Sequence, residues 1–293
     1  MSSLGSSFRT LLLMGGLTGL FMLAGWVAAG YGLAGGSISG ALLLFGVLAL
    51  VMNFVTYFWS HKFVLWSYKA KIVTEAESPR LYRIVRRLAM QADLPMPQVA
   101  IIPMGVPNAF ATGRNPKNAV VAATEGILRM LDDDELEGVM AHELAHVKDR
   151  DMLVMSLAAT VAGAVTFAAR MLFWGSLFGG GNDNRNPATL AIGLVFMILA
   201  PVAAMVVQLA ISRQREFKAD AVGAKISGKP WALASALEKM EAIAKGHPMD
   251  ARHANPSTAS LFIVNPFRGG GFAKLFSTHP QTADRVARLR QMN

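Results

Sequence analysis

The sequence predicts an α-helical integral membrane protein of about four spans in two hairpins, joined to a mixed α+β domain with a small sheet. Three observations predict it. Hydrophobic residues make up 53% of the 293 residues and mean hydropathy is +0.38, too apolar for an ordinary water-soluble chain. Apolar stretches near the roughly 20 residues that a helix needs to cross hydrocarbon occur in two pairs. After each pair the sequence turns polar, with turn residues and helical or strand-like patterns.

The first pair, Leu11–Leu33 and Ile38–Trp59, reads as a transmembrane hairpin over residues 1–60. A cleaved leader is the alternative for the first stretch. Its apolar core is longer than a leader requires, and a second span follows at once. Residues 61–150 read as soluble α/β. Ser78-Pro79 opens a helix carrying Leu81, Ile84, Val85 and Leu88 at helical spacing. The runs PQVAII, NAFAT and AVVAAT read as three short strands, the last two joined by the turn-rich GRNPKN. The second pair, Met152–Ala169 and Leu190–Ile211, forms another hairpin over residues 151–211. Arg170 lies at its distal end beside Phe173 and Trp174, and Pro201 predicts a kink. Residues 212–293 return to soluble character: a helix near Glu216, another over Trp231–Ala244, a Pro- and Gly-rich loop over Gly246–Gly271, and a basic helix after His279.

Basic residues set the expected orientation. The loop within the first hairpin has no Lys or Arg, whereas Lys62, Lys69, Lys71, Arg80 and Arg83 follow it, and Arg213, Arg215 and Lys218 follow the second. Both termini and both soluble segments are therefore expected in the cytoplasm. The net charge of +9 has the same origin, because the cations flank apolar segments instead of forming a basic patch interleaved with aromatics; nucleic acid is not an expected partner. There are no cysteines, so disulfides and thiolate zinc sites are excluded and any metal must be held by His, Asp or Glu. The 17 methionines read as membrane and core filler, since none clusters with histidine as a copper site would.

Asp132 and Glu135 have capping-box spacing and start a helix with Leu136, Val139 and Met140 as its apolar stripe. On it His142 and His146 lie one turn apart, so two imidazoles reach one ion, and Glu143 is placed to contact a metal-bound water. A hydrolytic zinc takes three protein ligands and leaves a position for water. Glu216 is the best third candidate. In REFKAD it lies one turn from Asp220, and two carboxylates at that spacing require a nearby cation. Zinc with its histidines would supply it, with Asp220 orienting a ligand imidazole. Alternatively Arg213, one turn earlier, neutralises an ordinary surface cluster. The apolar hairpin between His146 and Glu216 leaves and returns on one side, which brings both to the same membrane surface, and the ligand helices are expected to continue into, or neighbour, membrane helices. The acidic DDDELE and the KDRD run exclude a site within hydrocarbon.

H-E-L-A-H followed by Asp151, together with E-F-K-A-D, NAFATG and STHP, resembles the HtpX-type heat-shock membrane metallopeptidases, relatives of the CaaX prenyl proteases. The resemblance covers most of the chain. It implies a zincin-like catalytic domain, one zinc ion held by His142, His146 and Glu216, Glu143 as catalytic base, outer support from Asp220 and Asp151, and endoproteolysis in membrane-protein quality control at a bacterial inner membrane. The developing oxyanion needs a donor beside the metal; His279 is the first choice and Arg285 the second. A free His279 would alternatively occupy the open metal position, or cap the helix ahead of Pro280. Asn108, Ala109, Phe110, Ala111 and Thr112 form either an exposed edge that pairs with an extended substrate or an interior strand. His61, His247 and His253 read as surface residues. Two other functions fit parts of the pattern: a narrow processing protease of the prenyl-protease kind, and a non-enzymatic scaffold stabilised by zinc. Glu143 argues against the scaffold, because a structural site has no use for that carboxylate.

Overall fold

The computed structural model describes residues 3–30, 37–157, 213–246, 262–264 and 280–292. Helices α1 (Ser3–Gly30) and α2 (Ile38–Ser67) form the first hairpin. Ser37 caps α2, its hydroxyl accepting a hydrogen bond from the Gly40 amide. The two helices are joined at mid-length, where Asn53 Nδ2 donates to Thr18 Oγ1 at 2.8 Å, the kind of polar contact that holds apolar helices together in lipid. Among the described residues α2 is the one helix long and apolar enough to cross a membrane, and it continues past Trp59 to Ser67. The second hairpin lies outside the described residues except for a helical stretch at 151–157.

Strands β1 (Lys71–Val73), β2 (Gln98–Ile102), β3 (Ala109–Gly113) and β4 (Ala119–Thr124) form one sheet in the order β1-β2-β4-β3, parallel between β2 and β4 and antiparallel elsewhere. The three expected strands are present. β1, three residues long, is too short for an alternating pattern to predict it. Both faces are covered, and the alternation divides them cleanly. Val99, Val121, Ala109, Ala111 and Ala123 face the main core with α3 (Pro79–Gln91), α4 (Glu125–Met130) and α5 (Asp133–Asp149). Ala100, Ile102, Phe110, Val120 and Ala122 face Val64 of α2 and Met155. The sheet thus sits between the main core and α2 with the stretch at 151–157. Helices α6 (Arg213–Ser227), α7 (Pro230–Gly246) and α8 (Thr282–Arg290) complete the core around α5, which is buried from Glu135 to Val147.

Local signals behave unevenly. The capping box of α5 is complete, with the Glu135 amide on Asp132 Oδ1 at 2.9 Å and the Asp132 amide on Glu135 Oε2 at 3.2 Å. Helix α3 starts at Pro79, but the Ser78 side chain makes no capping bond. Helix α5 also ends before the apolar run begins: Arg150 adopts a left-handed conformation, φ 59°, and chain direction changes before residue 151. The motif helix therefore neighbours the next helix instead of continuing into it.

Candidate metal centre and active site

Helices α5 and α6 cross closely at His142 because Gly223 lacks a side chain; a Cβ there would come within 2.8 Å of the His142 amide nitrogen. That approach brings Glu216, two turns earlier on the same face of α6, against the motif histidines. His142 Nε2 and His146 Nε2 are 3.3 Å apart, and the Glu216 carboxylate oxygens lie 3.6 Å and 3.7 Å from them. All three side chains are buried, and their candidate ligand atoms fall within 4.8 Å of one another.

Behind this set lies a chain of charge. His142 Nδ1 donates to Asp220 Oδ1 at 2.9 Å, which leaves Nε2 turned towards His146 and Glu216. Asp220 in turn accepts two hydrogen bonds from Arg285, Nε at 2.8 Å and Nη2 at 2.6 Å. Arg285 is 1% exposed, lies 3.5 Å from His142 Nδ1 and donates through Nη1 to the Ile263 carbonyl. Burial opposes charge on all of these groups. Even so, the Arg285 guanidinium holds Asp220 at about 2, and the hydrogen bonds of Asp220 and Glu216 raise His142 to about 9.

Arg285 therefore stands behind the imidazole, not at the front where an oxyanion donor would stand. It supplies the cation that the Glu216–Asp220 pair demanded. Arg213, the alternative neutraliser, is exposed. Asp151 accepts a hydrogen bond from Arg215, the residue before Glu216, at 3.2 Å, so the stretch at 151–157 and the start of α6 are joined by an ion pair beside the ligand set. Glu143 is buried, and its Oε2 accepts from the Ala111 amide of β3 at 2.8 Å. β3 is an edge of the sheet among the described residues.

The other residues expected at the substrate face divide by direction. Asn108 is buried; its Oδ1 accepts from the Ile263 amide and its own amide donates to Thr124 Oγ1. The Phe110 ring packs beside Tyr68 on the face away from α5. Thr112 Oγ1 is 2.7 Å from Ser156 Oγ, which ties β3 to the helical stretch at 151–157. These side chains hold the strand in place, and its backbone is what faces the site. His279, His247 and His253 lie outside the described residues. His61 is half-buried in α2, not a surface residue.

Comparison with known proteins decides the lineage. The description Peptidase family M48 matches residues 75–293. The chain belongs to this family. Relatives named Protease HtpX homolog from Thermococcus sibiricus and Syntrophobacter fumaroxidans are each 53% identical over 292 residues, which is 99% of this chain and 97% and 100% of theirs. A homolog of the same name from Pyrococcus furiosus is 50% identical over 289 residues, 99% of this chain and 96% of its own. The crystal structure of S. mikatae Ste24p shares the fold, with a TM-score of 0.51 and 16% identity; 98% of this chain aligns and spans 66% of that one. The M48 chain is a metalloprotease, a hydrolase of peptide bonds, and its family implies a metal. The residues present fit one: ligands at roughly 2.0–2.1 Å from a tetrahedral zinc stand roughly 3.3 Å apart, close to the separations found among His142, His146 and Glu216.

Proposed function

We propose that the chain is a zinc-dependent integral membrane endopeptidase that cleaves misfolded or unassembled membrane proteins at their cytoplasmic parts. The observation that carries this reading is the convergence of His142, His146 and Glu216 beside Glu143 at the edge of a sheet. In it His142, His146 and Glu216 hold one zinc ion. Zinc bound there would lower the pKa of its water towards about 7 and polarise the scissile carbonyl. Glu143 takes the proton of the attacking water and returns it to the leaving amine. The Ala111 amide on Oε2 fixes the direction of that carboxylate. Asp220 and Arg285 keep the His142 ring in the tautomer that presents Nε2. His279 is the proposed donor to the oxyanion.

The extended substrate pairs with β3. Asn108 turns its carbonyl towards β4, where it accepts from the Thr124 amide, so the backbone groups of Ala109, Ala111 and Gly113 turn away from β4, the Ala111 amide to Glu143 and the others towards the proposed substrate. Recognition through backbone hydrogen bonds suits a protease of broad specificity. Two hairpins, with the second leaving and returning between His146 and Glu216, hold this cleft at the cytoplasmic surface; the apolar α2 and the distribution of Lys and Arg support that topology.

The test is hydrolysis of an unfolded protein such as casein by the purified full chain, with zinc content measured on the same sample. Cleavage by the zinc-loaded protein that disappears in a zinc-loaded Glu143→Gln variant supports the assignment. Equal cleavage by both would remove Glu143 from its role.

A further inference from the structure

The loop joining β3 to β4 is placed with its first residue, Arg114, against α2. Its turn is built rigidly. Gly113 adopts φ 134°, and Asn115 Oδ1 accepts from both the amide and the side-chain nitrogen of Asn118. This shape lays the Arg114 guanidinium over the Phe58 ring of α2, 5.3 Å from its centroid. Phe58 marks a depth. Around it α2 carries Tyr57, Trp59, Phe63 and Trp66, with the last three well exposed, and its first cation is Lys62. An exposed aromatic belt followed by cations is where an apolar helix leaves hydrocarbon for the headgroup layer.

Two cations come together at this level, Lys62 and Arg114, which both act electrostatically on His61; Lys117 is exposed on the same turn as Arg114. Among the described residues none of Lys62, Arg114 and Lys117 has a carboxylate partner, whereas the cations around α5 are paired with acids. Unpaired cations at headgroup depth match the phosphate of an anionic lipid.

We propose that Arg114, Lys62 and Lys117 form a binding site for the phosphate of an anionic membrane lipid, and that this contact braces β3. The proposal rests on the membrane reading of α2 given above. β3 runs straight from the turn to the active site: Gly113 precedes Arg114, Thr112 is bonded to Ser156, and the Ala111 amide holds Glu143. A lipid that fixes the turn at the bilayer surface fixes the strand that aims the base and offers the substrate edge.

The experiment places the full zinc-loaded chain in phosphatidylcholine nanodiscs with and without phosphatidylglycerol. Quenching of tryptophan fluorescence by brominated phosphatidylglycerol is compared with quenching by brominated phosphatidylcholine. The two charges removed in an Arg114→Gln, Lys117→Gln variant contribute roughly thirtyfold enrichment of the anionic lipid at the protein, which that variant should lose. Casein hydrolysis should rise with phosphatidylglycerol for the wild type and stay flat for the variant. Equal quenching by both lipids overturns the site, as does stimulation by inorganic phosphate alone, which would make it a soluble-anion site. Selective quenching with hydrolysis insensitive to lipid overturns the coupling to β3. Absence of hydrolysis in every bilayer defeats the proposed protease function, while the quenching result still decides the lipid site.

Discussion

Replacing Arg285 with Met removes a buried cation while keeping a side chain of similar length. It strips Asp220 of two short hydrogen bonds and leaves that carboxylate buried, with the His142 Nδ1–H as its remaining strong donor and Glu216 one turn away on the same helix. Breaking a buried ion pair from one side costs about 3–5 kcal/mol, against a total stability of about 5–15 kcal/mol for a typical domain. Two effects are expected. Thermal unfolding of the metal-free protein moves sharply downward, and zinc affinity falls by about 10–100-fold because nothing now fixes the Asp220 carboxylate that orients the His142 ring. The assay is competition for zinc against a chromophoric chelator, on protein shown to be folded by circular dichroism. Arg285→Lys separates charge from shape: it keeps the cation but spans one carboxylate oxygen instead of two, and should fall between wild type and Met. A folded Arg285→Met protein with zinc affinity within about twofold of wild type would refute the reasoning, because His142 would then be oriented by something other than the Asp220–Arg285 pair.

Other outcomes follow from the same geometry. Glu143→Gln should bind zinc normally and lose about 10²–10⁴-fold in peptide cleavage, checked by metal analysis beside casein hydrolysis. Gly223→Ala places a Cβ 2.8 Å from the His142 amide, so α6 must move away from α5; a loss of about 1–3 kcal/mol in stability and lower zinc content are expected from denaturant melts and metal analysis. The chelator-treated protein should lose stability as pH rises. His142 is raised from 6.5 to about 9 in the fold, so its stabilisation is complete below about 6.5 and disappears by about 9, on the order of 1 kcal/mol per pH unit. Asp220, lowered to about 2, contributes above its ordinary value and is lost only in strong acid, outside this window. Zinc held by His142 would exclude that proton, so melting temperatures of the loaded protein should show no such slope.

The parts legible in the sequence are those fixed by local spacing. His142, Glu143 and His146 share a helix whose start is written in its capping box, and helical geometry alone sets their relation. Glu216 and Asp220 were visible as a pair that needed a cation. What the sequence could not show was the source of that cation, because Arg285 lies 65 residues from Asp220 and meets it only when α8 packs on α6. Arg285 consequently read as a donor to substrate. The break at Arg150 was hidden for a different reason: Lys-Asp-Arg-Asp continues a helical composition, and a left-handed non-glycine residue leaves no compositional mark. β3 could be recognised as a strand but not as an edge, since strand order is a tertiary fact and its doubly buried residues look like those of the interior β4.

The central claim is that α5 and α6 jointly hold one divalent cation. X-ray absorption at the zinc edge, with metal stoichiometry, on wild type and Glu216→Ala tests it most directly. The account predicts one zinc per chain in the wild type, bound by two imidazole nitrogens and oxygen at roughly 2.0–2.1 Å, and a marked loss of bound zinc in the variant. Unchanged zinc content and an unchanged ligand shell in Glu216→Ala would contradict it.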